Sequence, residues 1–196
     1  MKNLIVRTIT GIFFVAAIVI CFMKPTAMVF LFALVTGLTI WEFTGLVNEH
    51  VPAVTVNRFI TTVAGVYFFI AMAGYCSGIT QSASVFIPYL LTLVYLFVSE
   101  LYLKQENPIN DWAYTMLSQM YIALPFSCIN VLAFNNTGEL TASFNTWLPL
   151  SVFIFLWVSD TGAYCCGSLL ASTSSSPASR RARAGKAASA AASSYL

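Results

Sequence analysis

The chain has 196 residues, 59% hydrophobic and 8% charged, with a formal net charge of +2 and a mean hydropathy of +0.81. An ordinary soluble domain carries about 25% charged residues, so this composition excludes a water-soluble enzyme and describes a polytopic membrane protein. About six spans with short loops fill that length, which leaves no separate soluble catalytic domain and obliges any chemistry to sit among the helices.

In chain order, the first span covers residues 4–23, with Arg7 able to snorkel to the interface. Lys2 and Arg7 before an apolar run imitate a secretion signal, but the run is long, Lys24-Pro25 follows it, and no small-x-small cleavage pattern precedes the next span. It reads as a retained helix. The second span, 26–46, carries Glu42 near its end and is followed by a polar loop with Glu49, His50, Pro52 and Arg58. The third, 59–79, closes on Gly74-Tyr75-Cys76-Ser77-Gly78, a spacing of small residues that lets helix backbones approach.

The fourth span covers 83–103. The stretch from Glu100 to Asp111, with Lys104, Glu106 and Pro108, is the most charged loop of the body and predicts solvation. The fifth span, 112–134, contains Pro125, which removes a backbone donor and predicts a kink. Residues 135–145 read as a polar loop in which Asn135-Asn136-Thr137 suits a turn.

The sixth span, 147–170, holds Asp160 deep in a membrane-length apolar helix. At about 1.5 Å per residue the carboxylate lies roughly 18 Å into a hydrocarbon layer about 30 Å thick. Even the lower insertion scales charge a few kcal/mol for a central Asp, so it should meet a polar cavity, a cation or a donor from another helix. Asp160, Ala163, Tyr164 and Gly167 share one helical face, whose small residues leave room beside the acid for a backbone or a ligand. The structural alternative is an interhelical hydrogen bond that only locks packing.

The remaining chemistry-bearing residues point elsewhere only weakly. Cys21, Cys76, Cys128, Cys165 and Cys166 lie in apolar segments without metal-ligand or disulfide spacing and read as small apolar fillers. With His50 the sole histidine, a His/Cys zinc site is not expected. No Walker-type phosphate loop occurs, and no basic-aromatic surface suggests nucleic acid. After Leu170 the text becomes rich in Ala, Ser and Arg without apolar periodicity, so 171–196 reads as a disordered or foreign tail. As a native tail it would touch anionic lipid through Arg180, Arg181, Arg183 and Lys186.

Asp160-Thr161-Gly162-Ala163-Tyr164-x-x-Gly167 resembles the Asp-Thr/Ser-Gly-Ala-Tyr-x-x-Gly segment of bacterial phosphatidate cytidylyltransferases, the CDP-diacylglycerol synthases. Trp41-Glu42-Phe43 and Tyr121-Ile122-Ala123-Leu124-Pro125 are looser matches to that family's Glu-aromatic and Tyr-x-x-Leu-Pro elements. The resemblance spans 1–170 and implies an all-α helical membrane bundle that joins CTP to phosphatidate. It further implies Asp160 as the catalytic carboxylate, Thr161, Gly162, Tyr164 and Gly167 as substrate-binding residues, and Mg2+ as cofactor with ligands the sequence does not identify. The bilayer of a bacterial inner membrane is then the surroundings, a homodimer is left open, and nucleic acid is not a partner.

In that family the motif is followed by a Gly-Lys-rich segment, a Ser-Pro-Lys-Lys-Thr-x-Glu-Gly element and a C-terminal signature rich in Lys, Asp and Gly, none of which follows Leu170 here. The expectation is a truncated form, inactive by itself. Two other readings stand beside it. One is a small cation- or proton-coupled transporter subunit using Asp160 and Glu42, against which no inverted repeat is visible. The other is a scaffold in which Asp160 pairs with a neighbouring helix. Lys2, Arg7, Arg58 and Lys104 fall on one side of a six-span arrangement and Lys24 on the other, so the positive-inside rule predicts a cytoplasmic N-terminus.

Overall fold

The computed structural model describes residues 2–103, 105–135 and 143–173. It is an all-α protein built from helices α1 (Lys2–Phe22), α2 (Pro25–His50), α3 (Arg58–Cys76), α4 (Ile87–Leu103), α5 (Pro108–Ala133) and α6 (Trp147–Thr173). A 3₁₀ turn, Ala83–Phe86, leads into α4. Four stretches, Pro25–His50, Arg58–Cys76, Ala83–Leu103 and Pro108–Ala133, are long and apolar enough to cross a membrane, and Ile9–Phe22 and Trp147–Ala163 are shorter apolar helices among the described residues. Large apolar side chains such as Phe13, Phe30 and Leu91 face outward. In water such a surface would be an aggregation liability, whereas in hydrocarbon it is the ordinary outer face of a bundle.

The chain divides into two compact units, Met1–Leu150 and Ser151–Leu196, and α6 starts in the first and continues into the second as far as Thr173. In the first unit α2 and α3 form the core pair. α2 buries Met28, Phe32, Thr36, Ile40, Thr44 and Val47, a recurrence of about four residues that makes one stripe. Its two buried threonines satisfy themselves, Thr36 Oγ1 donating to the Phe32 carbonyl at 2.7 Å and Thr44 Oγ1 to that of Ile40 at 2.8 Å. Pro25 opens α2 with a preset φ and no amide to orphan, and Phe22 of α1 meets Phe32 with ring centroids 5.5 Å apart.

α3 is capped by Asn57, whose Oδ1 accepts the Ile60 amide at 3.1 Å. It presents buried Ala64, Gly65, Ala71 and Ala73, small residues that admit α2 and α5 closely. A Cβ placed on Gly65 would overlap Ile40 Cδ1 and come 3.3 Å from Ala123 Cβ, so three helices converge at that glycine. Gly74 and Gly78, read from spacing as a packing pair, do something else. α3 stops at Cys76, Gly78 turns the chain with φ of 77°, and the Thr80 amide bonds back to the Gly74 carbonyl at 3.0 Å.

α5 does not run as a plain helix. A π turn, Gln119–Ala123, precedes Pro125, with the Leu124 amide reaching back to Gln119. Pro125 has no amide for the Tyr121 carbonyl and its ring crowds that carbonyl, so widening the turn before it is the local relief of the expected kink. Phe134–Asn135 and Ser143–Phe144 then pair as a two-residue antiparallel ladder with Phe134 opposite Phe144, where a polar loop was expected. Asn136 and Thr137 of the anticipated turn lie outside the described residues. Asn145 caps α6, its Oδ1 accepting the amides of Trp147 at 2.9 Å and Leu148 at 3.1 Å.

Two expectations about charge are corrected. The polar loop after α2 begins at Val51, because the helix continues through Glu49 and His50. The stretch from Glu100 to Asp111 is not a solvated loop. Glu100 belongs to α4 and Asp111 to the first turn of α5, and both are buried, because α5 starts at Pro108 behind the Asn107 cap and the intervening connection is short. Lys104 lies outside the described residues.

Candidate functional site

The Asp160 motif sits on α6 in the second unit. An apolar run from Leu148 to Val158 carries the helix into it, and the helix persists through the motif to Thr173. Asp160, Thr161 and Gly162 are exposed, and a Cβ built on Gly162 meets nothing within 4 Å. Tyr164 and Gly167 continue the same helix, but their side-chain surroundings lie outside the described residues.

The looser elements fall in the first unit. Trp41 is engaged by Arg58, the first residue of α3: its guanidinium stands 4.3 Å from the Trp41 ring centroid and its Nη2 donates to the Trp41 carbonyl at 3.0 Å. Glu42, beside it, is exposed. Tyr121 is exposed and Leu124 half-exposed on the outer side of the π turn, while Ile122 and Ala123 of the same element pack on Ile40.

Sequence reading missed a line of buried polar residues on α5: Asp111, Thr115, Ser118, Gln119, Ser127 and Asn130. Their recurrence at helical spacing was the available signal, and it was overlooked because the segment is apolar on average. Gln119 is the hub. Its Nε2 donates to the Thr61 carbonyl at 3.0 Å and its Oε1 accepts from the Tyr89 hydroxyl at 3.4 Å, which ties α3, α4 and α5 together. Asn130 Nδ2 reaches the carbonyls of Ser127 at 3.2 Å and Phe69 at 3.4 Å. These bonds join helix to helix, Gln119 and Asn130 each donating to a backbone carbonyl of α3.

A cavity of about 730 Å3 opens between α2 and α3 near Pro25, Tyr67, Ile70, Gly74 and Phe134. Its lining has no charged side chain, so it offers nothing to hold a phosphate. Among the described residues no group of three or more His, Cys, Asp or Glu side chains converges as a metal cluster.

Compared with known protein families, residues 5–180 match the model of the cytidylyltransferase family. The chain belongs to that family. The match covers all six helices and the whole Asp160 motif, and it runs past Leu170, where the composition changes, to include Ser176-Pro177. No curated protein and no solved structure matches the chain. Family membership identifies a nucleotidyltransferase type of function, and the four membrane-length helices place it in a bilayer.

Proposed function

We propose that this chain is the membrane part of a phosphatidate cytidylyltransferase, which converts CTP and phosphatidate to CDP-diacylglycerol and pyrophosphate. The observation that carries this reading is the Asp160-Thr161-Gly162-Ala163-Tyr164-x-x-Gly167 motif, which lies within the family match and on α6. In the reaction a phosphatidate phosphate oxygen attacks the α-phosphorus of CTP. The bond from that phosphorus to the bridging oxygen of the β-phosphate breaks, and pyrophosphate leaves with the electron pair.

Two polyanions have to approach, so the catalytic task is to position them and offset charge. Asp160 is assigned to that task, Thr161 and Tyr164 to hydrogen bonding of substrate, and Gly162 and Gly167 to close approach. The fit to Mg2+ is partial and chemically reasonable: one hard carboxylate with an adjacent hydroxyl suits an ion that is commonly held by one or two carboxylates together with substrate phosphates. Bound there, Mg2+ would neutralise charge on those phosphates.

The stretch 171–196 contains no Asp or Glu and carries only Arg180, Arg181, Arg183 and Lys186 as cations. We therefore propose that residues 1–196 by themselves do not turn over. The proposed orientation has the N-terminus and the 104–107 connection on the cytoplasmic side, where CTP is available.

The test is CTP-dependent conversion of phosphatidate in membranes, comparing the 196-residue chain with residues 1–170 joined to the C-terminal part of an intact family member. The joined chain should be active, and Asp160→Asn in it should lose at least about a hundredfold in turnover, roughly 2.7 kcal/mol of transition-state stabilisation. The variant should still insert and should melt no lower than its parent, since Asn is cheaper than Asp in hydrocarbon. Near-normal turnover together with a lowered melting temperature would assign Asp160 to helix packing and sink the site.

A further inference from the structure

Glu100 and Asp111 are the two most deeply buried acids among the described residues, 5% and 0% exposed, and the mechanism above uses neither. They come from adjacent helices. α4 and α5 are held together by Trp112, whose ring lies 5.6 Å from that of Phe97 and whose indole N–H donates to the Phe97 carbonyl at 3.2 Å. Phe97 precedes Glu100 by one helical turn and Trp112 follows Asp111 directly, so the same packing brings together the stretches of α4 and α5 that carry the two acids.

An account of their oxygens leaves a remainder. Asp111 Oδ1 accepts the Thr55 amide at 2.6 Å and so ties the α2–α3 connection to α5, which explains why an acid stands at that position. It does not explain Oδ2, which is buried without a partner, nor Glu100 Oε2, which is buried without one as well. An orphaned buried carboxylate oxygen is costly, and a second acid beside it raises the cost. Arg58, at the start of α3, is engaged with Trp41.

We propose that Glu100 and Asp111 together bind a hard divalent cation of the Mg2+ or Ca2+ class between α4 and α5, beside the α2–α3 connection. A dication neutralises the pair and gives both orphaned oxygens a partner. Two carboxylates completed by water or backbone oxygens are a usual ligand set for such ions, and the absence of a third His, Cys, Asp or Glu among the described residues disfavours zinc. The ion would clamp the α4–α5 hairpin onto the connection that Asp111 already holds. This site is separate from Asp160 and does not rest on the proposed reaction.

The experiment uses the 196-residue chain in detergent micelles, stripped with EDTA. Mg2+ and Ca2+ are titrated while thermal unfolding is followed, and bound Mn2+ is counted by electron paramagnetic resonance. The melting temperature should rise by about 5 °C at a hundredfold excess of cation over its dissociation constant. Glu100→Gln should abolish the rise and bind one Mn2+ fewer per chain than the parent, and Asp111→Asn should do the same where it folds. Asp160→Asn should leave the rise intact, which separates this site from any ion held at the motif. A parent chain whose melting ignores the cations would overturn the proposal, as would Glu100→Gln retaining the parent's Mn2+ count. So would cation-independent melting in the parent with a higher melting temperature in Glu100→Gln, the signature of a proton shared by the pair.

Discussion

Two glycines in this chain carry opposite consequences for the same substitution. At Gly65 a methyl group would overlap Ile40 Cδ1, and Ile40 is itself fully buried against Ile122 and Ala123, so the neighbour has nowhere to go. Overpacking of a tight core costs about 1–3 kcal/mol, which exceeds the gain of about 1 kcal/mol from replacing a helical Gly by Ala. Gly65→Ala should therefore lower the melting temperature in detergent, and an unchanged or higher value would show that α2 and α3 part more easily than their packing implies. At Gly162 the added methyl meets nothing, so Gly162→Ala should leave stability level or slightly raised. Under the proposed function the same methyl intrudes where substrate approaches. In the active joined chain Gly162→Ala should raise the KM for CTP or phosphatidate, and unaltered kinetics would remove Gly162 from the site.

Among the elements, α3 and α5 show how the bundle keeps its helices in register. α3 enters through Asn57, whose side chain takes up one of the amides that the first turn leaves free. Asn57→Ala should cost about 1 kcal/mol, a fall of about 3 °C in melting temperature for a chain of this size. A Ser replacement should recover most of the loss, whereas equal melting of the Ala and Ser variants would mean that packing alone fixes the start of α3. α5 buries six polar side chains in an otherwise apolar segment, and the bonds from Gln119 and Asn130 end on carbonyls of α3. In a bilayer, where apolar surface gains little by meeting another helix, such bonds and close small-residue contacts supply the specificity of packing. The charge text of the 100–111 stretch was misread for a related reason. Local charge density stands in for solvation only when nothing packs on the segment, and here Trp112 ties α5 to α4 while the Thr55 amide holds Asp111.

For the molecule as a whole, the helices form a membrane bundle of the cytidylyltransferase family. With the orientation proposed above, a single cysteine introduced at Lys104 in a cysteine-free background should react with an impermeant maleimide only from the cytoplasmic face. Labelling of intact cells from outside would reverse the topology and carry the Asp160 half of α6 away from CTP.

The sequence by itself determined the helical membrane architecture and the family. In hydrocarbon every backbone amide and carbonyl needs an internal partner, so long apolar segments admit few structures besides helices, and hydropathy alone reveals them. The Asp160 motif lies within the family match, and a carboxylate in an apolar helix is costly enough to draw attention in the sequence. Only the tertiary structure decided what stands opposite each face. Nothing in the spacing of Gly74 and Gly78 separates a packing pair from a helix stop, since that depends on a positive φ at Gly78. Nothing in the text joins Asp111 to Thr55, because those partners meet through packing and not through sequence distance. Periodicity states which residues share a face, and packing alone states what that face meets.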